Sequence, residues 1–368
     1  MISVPITPAT AQPARTLAGS LRRGLQRLLA DPAPLERTIA GTLAQRSLVA
    51  AANTGILDAL IDHPGSGSQE LASLCHCSPD GVDILLQALA GTGLLSRCGR
   101  GWRVRRAYTP LLRKEAFLRS WLDYSDTVIA PALLSLEDSV RNGKPEGLSR
   151  LYGHDRQNFY VSVANDPVKG PIFSKFMRAY SSINREAVAR HTIFSGPVNI
   201  LDLGGGDGDL AMAIVTHHPE AKVTVADLPV VIERTSQSFS THPHASRLQT
   251  VGVDLLQDPI PGGYDIILCA HVIDILSPEE ISGLLGKVRK ALSPKGKLVV
   301  FTPVTADHGR GPLINSLMGI YFLALARGKG RFYSTRKLRE IAAGCGFKAF
   351  RDIPLPCDEV LLIGERGN

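Results

Sequence analysis

The chain has 368 residues, more than one ordinary core needs and about right for a large domain with a smaller companion. At 44% apolar and 20% charged residues it is globular, which excludes a disordered protein. Its longest nearly apolar stretch, Leu313 to Ala326 with Asn315 and Ser316 inside it, is too short to span a bilayer. The net charge of +7 is concentrated early. The first 48 residues hold six Arg against two acids, and Arg97 to Arg119 holds eight basic residues against Glu115 alone. A solvated basic face and an anionic partner such as nucleic acid both fit that surplus.

Residues 1 to about 30 start rich in Pro, Ala and Thr and become Arg-rich, with a helix expected from about Leu17 to Ala30. They lack the apolar core of a secretory signal, which argues against secretion. An organelle transit peptide would also be Arg-rich and poor in acids. From residue 35 to 112 the pattern is helical and ends in a β-hairpin. Leu43, Leu48, Ala51, Ile56, Leu57 and Leu60 recur at helical spacing. Ser68 is expected to cap a second helix, and Ser78-Pro-Asp opens a third with Pro in its first turn. Gly91 to Arg106 then supplies turn residues and short strands. Helices followed by a hairpin make a winged-helix module. The six Cys suggest reduced thiols, and Cys75-His76-Cys77 is too tight for zinc spacing.

Residues 113 to 195 read as all-helical and carry many aromatics. Pro197 marks a change to strands alternating with helices, hence a parallel sheet. Strands are expected at 198–203, 222–227, 248–253, 264–270, 297–303, 348–353 and 360–364. The most informative stretch is Asn199-Ile-Leu-Asp202-Leu-Gly204-Gly-Gly206-Asp-Gly208. An apolar strand ends in an acid, and a glycine-rich turn then enters a helix. Glycines there let the backbone turn tightly and approach a ligand. Dinucleotide sites share this logic, but here the acid precedes the first glycine. Asp227 ends the next strand, 19 residues after Gly208, where a carboxylate can accept both hydroxyls of a ribose. Asp254, in Val253-Asp-Leu-Leu, could reach an adenine amino group while Leu255 covers the ring.

Leu201 to Leu210, Ala226-Asp-Leu-Pro229, Val253-Asp-Leu-Leu256, Gly263 to Leu268 and Pro294 to Val300 together resemble S-adenosylmethionine-dependent methyltransferases. More narrowly, the chain is similar to small-molecule O-methyltransferases of plant caffeate type and to their bacterial hydroxyneurosporene and polyketide relatives. The resemblance implies an α/β fold: a Rossmann-like seven-stranded methyltransferase domain with a final antiparallel hairpin, and an N-terminal winged-helix dimerisation domain. The domains expected are an extension over 1–34, the winged helix over 35–112, linker and pocket helices over 113–195, and the cofactor domain over 196–368. Asp202, Gly204, Gly206, Gly208, Asp227, Leu228, Asp254 and Leu255 are then expected to bind S-adenosylmethionine. Phe159, Phe176, Met177, Tyr180, Met318 and Tyr321 are expected to wall the acceptor pocket. Core packing alone would also account for these six.

The resemblance implies a catalytic His after the fourth sheet strand, held by two Glu. Asp274 falls at the His position, and Thr302 and Phe332 fall at the Glu positions. A positioned nucleophile beside an activated methyl group can react without that set, so positioning is expected to outweigh a dedicated base. Asp274 could be a weak base with a carboxyl pKa of about 4 unless burial raises it. It could instead anchor the acceptor, cap the helix starting near Ser277, or be solvated. His271 is the nearest other base, or a structural His. The expected protein is a cytosolic homodimer that methylates an apolar, aromatic or conjugated acceptor, without a metal, nucleic acid or membrane span. O-methylation is the first reading. C- or N-methylation is the alternative, and a non-methylating descendant that still binds the cofactor is a third.

Overall fold

The computed structural model describes residues 33–367 apart from 115, 155–157 and 308–310. The helix expected from Leu17 to Ala30 lies outside them. The chain divides into two compact units, with the boundary between Arg113 and Lys114.

The first unit has helices at Ala33–Asn53, Ile56–Asp62, Ser68–Cys75, Pro79–Gly91 and Thr109–Leu112. Strands β1 (Leu95–Cys98) and β2 (Gly101–Val104) form an antiparallel wing, Leu95 opposite Val104. Its core gathers Ala51, Ile56, Leu57, Leu60, Leu71, Val82, Leu86 and Leu89. Ser78 caps as its type predicts, accepting from the Gly81 N–H. Ser68 does not: Gly67 holds the cap position in extended backbone, and Ser68 is the first helical residue. Leu43 lies in a helix as its spacing predicts, but it is 74% exposed, in line with Leu35 and Ile39 on the same helix at four-residue spacing.

The second unit carries a seven-stranded sheet in the order β5-β4-β3-β6-β7-β9-β8. The strands are β3 (Asn199–Leu203), β4 (Lys222–Asp227), β5 (Leu248–Gly252), β6 (Tyr264–Ala270), β7 (Leu292–Pro303), β8 (Phe347–Leu355) and β9 (Glu359–Arg366). β3 to β7 run parallel, and β9 pairs antiparallel with both β7 and β8. Every expected strand is present, and β7 begins five residues before its expected start. Successive strand residues point to opposite faces. Ile200 therefore packs with Val188, Phe194, Ile214 and Val299 on one face. Leu201 and Leu203 pack with Ile267, Leu284 and Leu285 on the other. Strand order reverses at β3, flanked by β4 and β6, and ligands of open α/β sheets bind outside the strand ends at such a point. A separate aromatic cluster, with Tyr124, Phe159, Phe176, Tyr321 and Phe332, forms among the helices that precede β3 and follow β7.

Candidate active site

β3 ends at Leu203, and Gly204 to Gly208 lead into the Asp209–His217 helix. Gly204 sits at φ +69°, and a Cβ there would collide with Val272. At Gly206 an added Cβ would meet nothing, so bare backbone borders open space. The Gly206 N–H donates to Asp227 Oδ2 at 2.9 Å, and the Leu228 N–H donates to Oδ1 at 2.7 Å. A carboxylate has about four acceptor sites, so Asp227 keeps capacity for ribose hydroxyls. Burial pushes the Asp227 carboxyl up, opposed by these two N–H groups. Asp202 is 1% exposed, and neither of its carboxylate oxygens has a hydrogen-bond partner. Burial first, then the neighbouring Asp227, push its carboxyl up to about 7. An orphaned buried acid beside the bare Gly204–Gly206 backbone, with a second acid at the next strand end, fits a nucleoside ligand carrying an ammonium group.

One cavity of about 720 Å³ opens onto this turn. Asp202, Gly204, Gly206, Asp227, Leu228, Asp254 and Leu255 all line it. Asp254 also shapes its own loop, because Oδ1 accepts from the N–H groups of Leu256 and Gln257. Gly208 does not line the cavity. Its φ of +80°, and the Phe239 ring that an added Cβ would strike, make it a turn residue at the start of the helix.

The same cavity is walled by Phe176, Met177, Tyr180, Met318 and Tyr321. Phe159 is a correction: it is fully buried behind that wall, edge-on to Tyr160, Phe173 and Tyr321. Tyr160 and Phe173, its neighbours in space, face the cavity. Phe176 stacks on Tyr124 at 4.7 Å and on Tyr180 at 6.0 Å, which fixes flat apolar walls. The hydroxyls of Tyr124 and Tyr321 share a hydrogen bond of 2.9 Å.

Asp274 lies on the short turn Ile273–Ile275 after β6, lines the cavity and is 7% exposed. Its Oδ1 has no hydrogen-bond partner. Burial, and secondarily the Glu359 charge, push its carboxyl up to about 7. Burial therefore removes both the solvated reading and the ordinary carboxyl pKa. The capping reading fails as well. Ser277 caps the Pro278–Ala291 helix, in a capping box with Glu280. Thr302 is buried on β7, and Phe332 lies in the cavity wall, so neither supplies a charge.

His271 lines the cavity too, between Tyr180 and Phe301 at ring distances of 5.0 and 4.5 Å. Burial lowers its imidazolium pKa to about 4. Behind it stands Glu359, a residue that sequence reasoning missed. It lies on the last strand, and nothing near it in sequence points to a site.

Residues 36–110 match the O-methyltransferase dimerisation domain, and residues 134–348 match the O-methyltransferase domain. L-tyrosine C(3)-methyltransferase of Streptomyces lavendulae is 26% identical over 324 residues, 86% of this chain and 87% of that protein. 2,7-dihydroxy-5-methyl-1-naphthoate 7-O-methyltransferase of Streptomyces carzinostaticus is 29% identical over 295 residues, 77% and 85% of the two chains. Among solved structures, the S-adenosylmethionine-dependent methyltransferase SibL in its apo form aligns with a TM-score of 0.80 at 25% identity. The alignment covers 92% of this chain and all of that one. With both domain families matched in order and the glycine turn, Asp202 and Asp227 gathered at one cavity, the chain belongs to the S-adenosylmethionine-dependent O-methyltransferase family.

Proposed function

We propose that this protein transfers a methyl group to a hydroxyl of a flat, apolar aromatic small molecule, and that Asp274 accepts the hydroxyl proton. The observation that carries this reading is the cavity that these groups share. It is bordered by the glycine turn and Asp227, by the stacked aromatic wall, and by the buried Asp274 carboxyl, whose Oδ1 has no hydrogen-bond partner. S-adenosylmethionine supplies an electrophilic methyl group on a sulfonium when bound. Asp202, Asp227 and the bare turn would hold it. A carboxyl near 7 is matched to proton transfer at neutral pH, where an ordinary carboxylate is too weak a base. The apolar wall keeps water from the phenolate that forms and holds the ring flat against its target.

A second reading is methylation at a ring carbon. A phenolate carries negative charge on its ortho carbon as well as on oxygen, so the same proton transfer activates either atom. The replaced family set (Asp274, Thr302 and Phe332) and the C-methylating relative on tyrosine favour this alternative. Incubation with isotopically labelled S-adenosylmethionine and a panel of phenols, naphthols and L-tyrosine, read by mass spectrometry, tests both. Label on oxygen supports the first reading, and label in the ring supports the second. No transferred label to any aromatic would sink the methyl-transfer reading.

A further inference from the structure

Glu359 opens β9 opposite Pro303 at the end of β7, so antiparallel pairing returns it to the edge where β6 ends beside His271. It is 3% exposed. Oε2 accepts from Asn184 Nδ2 at 2.5 Å, and the same amide nitrogen donates to the Pro356 carbonyl at 2.9 Å. Asn184 is thereby fixed as a donor. Oε1 has no hydrogen bond of ordinary geometry and faces His271 Nε2 at 3.6 Å, while the Tyr180 hydroxyl also interacts with this carboxylate. Both nitrogens of His271 lack hydrogen-bond partners. A ring kept neutral by burial has one N–H and one lone pair, and only an N–H can meet a carboxylate without repulsion. Hydrogen bonds of this kind are often long in ligand-free sites and tighten in the loaded enzyme.

We propose that Glu359 is a positioning residue. Its Oε1 takes the Nε2–H of neutral His271, a ring that lines the cavity, and leaves the Nδ1 lone pair without a protein partner, free to accept a hydrogen bond from an O–H or N–H of the methyl acceptor. That donor is a second one, beside the hydroxyl that faces Asp274, and the inference rests on the acceptor-pocket reading above. The acceptor class is thus narrowed to aromatics with two hydrogen-bonding substituents. A site built to pair such a group discriminates strongly against analogues that lack it.

The test is nitrogen NMR of histidine-labelled protein saturated with S-adenosylhomocysteine, with the His271 signals identified by their loss in His271→Phe. Wild type should show His271 as one neutral tautomer with the proton on Nε2. In Glu359→Gln the single carbonyl oxygen is claimed by Asn184, so the side-chain NH₂ turns to His271. The tautomer should then invert, with the proton on Nδ1. Resorcinol should move the wild-type Nδ1 resonance upfield and leave that of Glu359→Gln unmoved. A wild-type proton on Nδ1, a mixture of tautomers, an unchanged tautomer in Glu359→Gln, or no response to resorcinol would each overturn the proposal. If Glu359→Gln does not fold, the wild-type tautomer decides. Failure to bind S-adenosylhomocysteine would count against the methyltransferase reading itself, whereas a wrong tautomer in the bound protein counts against Glu359 alone.

Discussion

At the scale of single residues, burial sets the chemistry. The Asp274 carboxyl is raised from an unfolded value of about 4 to about 7 in the folded chain. Only its ionised form can take a proton, so turnover should rise with pH through about 7 and level off above it. Asp274→Asn should lower the maximal rate by about 10²–10⁴-fold, with acceptor affinity changed far less. Rate-against-acceptor curves at several pH values would show this, and a drop smaller than tenfold would return the argument to positioning alone. The same shift has a stability sign. A group whose folded pKa is raised contributes stability that is present below its unfolded pKa and lost as pH rises through the folded one. Asp274→Asn should therefore melt higher than wild type at pH 8 and alike at pH 4, as scanning calorimetry can check. Asp227 makes a separate case. Asp227→Ala should weaken S-adenosylmethionine binding by roughly 1.5–3 kcal/mol, the range for a hydrogen bond to a charged group. Calorimetric titration that finds unchanged affinity would remove it from the site.

At the scale of elements, the glycine turn and the final hairpin do different work. The turn is local: a Cβ at Gly204 or Gly205 would collide with its surroundings. Gly204→Ala should cost about 1–2 kcal/mol from the left-handed backbone alone. The collision with Val272 adds to that and displaces the turn. The expected outcome is a lower melting temperature together with weakened binding of S-adenosylhomocysteine. A variant that melts and binds like wild type would show that the turn tolerates a side chain. The hairpin is non-local. Pairing of β9 with β7 carries Glu359 to the site from 85 residues beyond Asp274, which its register with Pro303 makes unavoidable. The described residues of 113–195 are mainly helical as read, but their aromatics divide by helical phase. Phe176 and Tyr180, four apart, share the cavity face, while Phe159 turns inward one position before Tyr160.

At the scale of the whole molecule, we propose that the protein is a homodimer assembled through its first unit. Residues 36–110 match the dimerisation domain, and Leu35, Ile39 and Leu43 leave a row of large apolar side chains in water along one helix. Sedimentation at micromolar concentration should give twice the chain mass of 39.5 kDa. Ile39→Lys combined with Leu43→Lys should shift it toward the monomer. A wild-type monomer under those conditions would refute the proposal. Among the described residues no helix is long and apolar enough to cross a membrane, and no group of three His, Cys, Asp or Glu side chains could hold a metal.

The sequence by itself determined the strands, the winged-helix pattern and the glycine turn with both following acids. These are features of short range: period-two alternation, turn chemistry, and an acid at a strand end a fixed distance from a glycine. It also singled out Asp274 as the departure at the base position, but it could not say whether that carboxyl was capping, solvated or buried. Tertiary structure decided that, because a pKa depends on what surrounds the group, and the surroundings of Asp274 come from helices far away in the chain. It likewise decided that Phe159 supports the wall while Tyr160 faces the cavity, and that Leu43 stays outside the core. Above all it decided the meeting of His271 with Glu359. One follows a parallel strand and the other begins an antiparallel one, and only the folding back of the last hairpin puts them 3.6 Å apart.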